Sequence, residues 1–163
     1  MREAFDTSWA VAEELLNVSV SDVAPDTILC MAVGEIDFLT GLALREKLTE
    51  AINVVPSHLV IDLSAVQFVA SSGLNILLEV LAAQEASGHH LALVVNNNHA
   101  VTRTLRVTEL DQVFNLHTEL ATAVTACRTS TGVPQQRAQQ LEPLHQAPLG
   151  VTEMSIFSRL ADQ

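Results

Sequence analysis

Ser71 and Ser72, followed by Gly73, stand between the apolar run Leu59–Leu63 and an amphipathic stretch that begins at Leu74. A buried strand that ends in two hydroxyls and a glycine places them at the first turn of the next helix. The free backbone N–H groups of such a turn suit an anion such as phosphate. Two other roles are open to the same hydroxyls. One is helix capping, which needs only one of them and leaves the second to be explained. The other is nucleophilic attack by Ser71, which requires a base held beside it.

The remaining chemistry-bearing residues are sparse. Asp37, in Gly34-Glu35-Ile36-Asp37, follows a predicted strand end. It reads either as a carboxylate that favours a helix N-terminus or as a surface acid near the serine turn, if the second and third strands are neighbours. Asp62 falls inside a predicted strand and so needs a hydrogen-bond partner or a solvent edge; a structural hydrogen bond is the expectation. His89, His90 and His99 fall in predicted loops and define neither a triad nor a metal site. There is no G-x-S-x-G elbow, no G-x-x-x-x-G-K-[ST] loop, no H-E-x-x-H and no paired-cysteine zinc spacing.

The elements that must position these residues follow from periodicity. Leu15–Val20 and Thr27–Val33 read as strands, with turns at Ser21-Asp22 and Ala24-Pro25-Asp26 and with Gly34 closing the second. Leu44, Leu48, Ala51 and Ile52 mark one face of a helix with Thr40 as its cap, ended by Pro56. Leu59–Leu63 is a strand buried on both faces. Leu74, Leu77, Leu78 and Leu81 then define a helix that stops at Ser87-Gly88. Leu91–Val95 is the next strand, followed by a short helix around Val101 and Leu105, a strand at Val113–Leu116 and a last helix at Glu119–Cys127. The alternation predicts an α/β fold, a small mixed sheet with helices packed mainly on one face. Residues 1–13 read as a polar leader, 14–127 as the folded domain and 128–163 as a flexible Gln/Pro-rich tail.

Composition narrows the function. The chain of 163 residues supports one core. It carries 8 basic and 19 acidic residues, a net charge of −11, and all the excess lies before Arg128. Such a domain repels nucleic-acid backbones and anionic lipid, so direct nucleic-acid binding is not expected and a basic protein partner is. Cys30 and Cys127 form no disulfide framework. No segment reads as a secretion signal or a membrane span, so a cytoplasmic protein without membrane insertion is expected.

Three segments together resemble the STAS domain family, and within it the anti-sigma factor antagonists of bacterial partner-switching systems. They are Val33-Gly34-Glu35-Ile36-Asp37 with Leu44-Arg45-Glu46-Lys47-Leu48; Val60-Ile61-Asp62-Leu63-Ser64-Ala65-Val66 running into Phe68; and Ser71-Ser72-Gly73-Leu74. The resemblance covers about residues 14 to 125 and implies a STAS-like sheet with helices on one face. It implies a non-enzymatic module without cofactor or metal that sequesters an anti-sigma factor, itself a serine kinase, and thereby frees a sigma factor for transcription, as in stress responses. Carried over, Ser71 is the phosphoacceptor, with Ser72 the second candidate, and Asp37, Ser71, Ser72, Gly73 and Leu74 form the partner-binding site. Two positions depart from the pattern: Ala70 stands where Asp commonly precedes the acceptor, and Glu109 where glycine is common. A STAS scaffold subunit of a stress-sensing or lipid-transport complex, with Ser71 only a cap, is the alternative. A serine hydrolase using Ser71 is the third reading.

Overall fold

A two-residue turn at Pro25-Asp26 folds β1 (Leu16–Ala24) back onto β2 (Thr27–Ile36) as an antiparallel pair. The computed structural model describes residues 14–54 and 57–129. After β2 come α1 (Phe38–Val54), β3 (His58–Val69), α2 (Ser71–Ala86), β4 (Leu91–Val94), α3 (His99–Val107), a 3-10 turn (Leu110–Gln112), β5 (Asn115–His117) and α4 (Leu120–Thr129). The sheet order is β1-β2-β3-β4-β5. Strands β2 to β5 are parallel, each joined to the next by a helical crossover, so their carboxyl ends share one edge of the sheet.

The expected mixed sheet is present, and its two faces are unequally covered. On one face Ile28, Cys30, Ala32, Leu59, Ile61, Leu63 and Leu93 form the main core with Leu44 and Leu48 of α1, Leu77 and Leu81 of α2, and Val101 and Leu105 of α3. On the other, Leu29, Val60, Ala92 and Val94 lie under Ala123 and Cys127 of α4. Aromatics contribute little to either layer; Phe114 is the bulkiest of the fully buried side chains.

Several boundaries differ from expectation. β1 runs through Ser21-Asp22 to Ala24, and Gly34 lies inside β2 rather than closing it. Its φ of 121° and the approach of the Leu15 carbonyl leave no room for a Cβ, so glycine is required there. β3 continues six residues past Leu63, because two bulges let it carry more residues than the stretch of β2 it faces. Asp62 turns out to serve the first bulge, its Oδ1 accepting a 2.8 Å hydrogen bond from Ser64 N–H. β5 starts at Asn115 because Val113 and Phe114 close the 3-10 turn onto Leu110. α4 carries the fold two residues beyond Cys127 to Thr129. The leader 1–13, Pro56 and residues 130–163 lie outside the described residues.

Candidate functional site

Ile36 and Val69 end β2 and β3 as a register pair, and Ala70 N–H donates to the Ile36 carbonyl at 2.7 Å. One residue beyond each strand end the chain enters a helix, through Asp37 into α1 and through Ala70 into α2. Asp37 and the serine turn therefore sit side by side on the carboxyl edge of the sheet, as expected for neighbouring strands.

The two helix starts differ. At α1 the carboxylate of Asp37 accepts from Leu39 N–H at 2.8 Å and Thr40 N–H at 2.9 Å, while Thr40 Oγ1 accepts from Asp37 N–H at 2.9 Å. Thr40 also donates to the Glu35 carbonyl at 2.7 Å. This reciprocal cap corrects the sequence expectation: Asp37 is the capping residue and Thr40, fully buried, is its third-position partner. The hydrogen bond from Thr40 N–H, with that from Leu39, holds the Asp37 carboxyl below the usual range despite some desolvation, so it is ionised at neutral pH.

At α2 the capping position is Ala70, in extended conformation with φ −79° and ψ 167°, and no side-chain cap bond is made among the described residues. The Ser71 side chain is exposed and that of Ser72 half-buried. Neither hydroxyl bonds another described residue, and the N–H groups of residues 71–73 precede the first helical bond, from Leu74 N to Ala70 O at 3.1 Å. Neither serine acts as the helix cap. An Asp at position 70 would close these N–H groups as Asp37 closes those of α1; Ala70 leaves them open.

Gly73 and Leu74 are buried, and they position the turn rather than face outward. A Cβ on Gly73 would lie 2.5 Å from Ile36 Cγ2 and 3.3 Å from the Ile36 carbonyl oxygen, so the missing side chain lets α2 seat directly on the strand ends. Leu74 belongs to the core at 6% exposure. Three exposed apolar side chains border the site instead: Phe38, 75% exposed beside Asp37; Leu42 one helical turn on; and Phe68, 52% exposed at the end of β3. Phe38 and Leu42 are four apart and off the Leu44–Leu48 stripe, the one sequence signal that pointed outward.

The rings of His58, His89 and His90 are elsewhere. His58 stacks on His90 with ring centroids 5.2 Å apart, and His90 N–H donates to His58 Nδ1 at 3.0 Å; His89 meets His58 edge-on. This trio lies at the amino ends of β3 and β4, the opposite edge from Ser71. No group of three or more His, Cys, Asp or Glu among the described residues has metal-binding geometry. Both cysteines are buried free thiols, their pKa pushed by burial to about 12 at Cys30 and about 11 at Cys127. No helix among the described residues is long and apolar enough to cross a membrane.

The fold and the paired helix starts define a small α/β domain that presents a serine turn at the carboxyl edge of its sheet. The family model for the STAS domain matches residues 19–123, and the chain belongs to that family. It is 37% identical over 118 residues, 72% of this chain and 93% of the relative, to the anti-sigma-F factor antagonist RsfB of Mycobacterium tuberculosis strain H37Rv. Among solved structures it resembles an anti-sigma factor antagonist from Mycobacterium paratuberculosis, with a TM-score of 0.63 and 33% identity over 69% of this chain and 94% of that one. The unphosphorylated anti-sigma factor antagonist SpoIIAA shares the fold, with a TM-score of 0.59 and 19% identity over 71% of this chain and 99% of that one.

Proposed function

We propose that this chain is an anti-sigma factor antagonist: it sequesters an anti-sigma factor, frees a sigma factor, and is switched off by phosphorylation of Ser71. The observation that carries the switch is the exposed Ser71 hydroxyl, unbonded and standing over the uncapped first turn of α2. The antagonist relatives support the partner class. The partner's own serine kinase activity is part of the proposal, as is action in the cytoplasm. The chain works by binding and catalyses nothing itself.

The energetics are consistent with a switch that needs no moving part. A phosphoryl group adds about −1.5 to −2 charges at neutral pH. The open N–H groups of residues 71–73 hold it favourably in the free protein. A partner surface seated over Asp37, Phe38, Phe68, Ser71 and Ser72 would have to desolvate the dianion beside exposed apolar side chains. A penalty of about 3 kcal/mol lowers affinity by about a hundredfold. The scaffold alternative assigns Ser71 a capping role, yet its hydroxyl makes no cap bond.

Titrating the anti-sigma partner with the wild-type chain, Ser71→Ala and Ser71→Asp tests this reading. Ser71→Ala is expected to bind within about threefold of wild type and Ser71→Asp about a hundredfold more weakly. Equal affinity of all three would remove the switch.

A further inference from the structure

A cleft of about 290 Å³ opens beyond the carboxyl ends of β4 and β5. Its polar lining is contributed by Asn97, His99, Thr102, Arg106, His117 and Thr118. His99, Thr102 and Arg106 follow at i, i+3 and i+7 along α3, so they form one stripe of that helix. No carboxylate lines the cleft among the described residues, on a chain with a net charge of −11.

Three further features distinguish it from an ordinary wet groove. Arg106 takes part in neither ion pair found among the described residues, so its guanidinium has no anionic partner there. Among the described residues His117 Nε2 is buried without a hydrogen-bond partner, a costly state for a ring nitrogen, and burial lowers the pKa of the ring. Thr104, Thr108, Thr122, Thr125 and Thr129 each donate to a carbonyl three or four residues back. Among the described residues the hydroxyls of Thr102 and Thr118 make no such bond, and both residues line the cleft. A guanidinium and two hydroxyls, with no carboxylate beside them, match the oxygens of a tetrahedral anion.

The geometry points to a binding site for a small phosphomonoester in this cleft, held by Arg106, Thr102 and Thr118, with His99 at its rim. Inorganic phosphate alone would occupy only part of the volume, which leaves room for a short organic group on the ester oxygen. The site shares the sheet edge with Ser71 but none of its residues, and it stands whether or not Ser71 is a switch.

Amide and imidazole NMR shifts of the full chain, followed on adding inorganic phosphate or glycerol 3-phosphate against sodium chloride at matched ionic strength, test the site. The expected result is a saturable shift confined to residues 97–106 and 116–118, half-saturated at about 1 mM or below. Tighter binding of the ester identifies an organic phosphate as the ligand; equal binding identifies the free anion. Arg106→Gln, at an exposed position, is expected to weaken either by about tenfold or more, as is Thr102→Val to a lesser degree. Shifts centred on residues 71–73, shifts reproduced by chloride, or shifts unchanged in Arg106→Gln would overturn the assignment.

Discussion

Asp37 and Ala70 occupy equivalent places, each one residue beyond a strand of the Ile36–Val69 pair, and they leave opposite kinds of helix start. The carboxylate of Asp37 consumes the N–H groups of Leu39 and Thr40, whereas Ala70 consumes none. Ala70→Asp is expected to stabilise the fold by about 1 kcal/mol in urea unfolding, by capping α2. The same carboxylate would compete with a phosphate for the first turn. Glu109 poses the reverse case: it sits in the left-handed region at φ 59°, which explains why a glycine suits that position. Glu109→Gly is expected to raise stability by up to about 1 kcal/mol, less what the more flexible unfolded chain recovers; a lower unfolding midpoint would show that the glutamate side chain contributes more than its backbone strain costs.

At the scale of elements, β3 and its supports account for most of what the sequence concealed. β4 pairs with β3 only as far as Asp62↔Val94, which leaves the carbonyls beyond it without a ladder partner on that side. Asn98 Nδ2 supplies one, lying 2.9 Å from Leu63 O, 3.2 Å from Ser64 O and 2.6 Å from Val66 O. Its Oδ1 meanwhile caps α3 through Ala100 and Val101 N–H. Asn98→Ala is expected to cost about 2–3 kcal/mol, one cap plus carbonyls left half-buried, and denaturant unfolding reads it directly. Regular alternation made the order of strands and helices legible, as did the runs Leu59–Leu63 and Leu91–Val95. The second half of β3 was not, because its bulges break the period-two pattern. The role of Asn98 was not legible either, since it depends on a strand more than thirty residues earlier in the chain. The serine turn and Asp37 were legible from their spacing. Phe68 was not, and Phe38 showed only in its place off the Leu44–Leu48 stripe.

Over the whole molecule, charge and sheet polarity act together. Parallel strands β2 to β5 deliver the Asp37 cap, the serine turn and the Arg106 cleft to a single edge, while the sequence carries a net charge of −11. A partner with a basic surface would be steered to it over distances comparable to the Debye length, about 10 Å at 0.1 M salt. Its association rate is expected to fall by about tenfold or more between about 0.01 M and 0.3 M salt, with dissociation much less affected, as stopped-flow mixing can measure. A salt-independent association rate would mean that the apolar flank at Phe38 and Phe68, rather than charge, brings the partner in.

The most direct test of the switch is intact mass after incubation of the full chain with ATP and its anti-sigma partner, followed by mapping of the modified residue. One phosphate on Ser71, absent from Ser71→Ala, is the expected result. An unmodified chain that still binds the partner, or a phosphate placed on Ser72 in the wild-type protein, would contradict Ser71 as the phosphoacceptor.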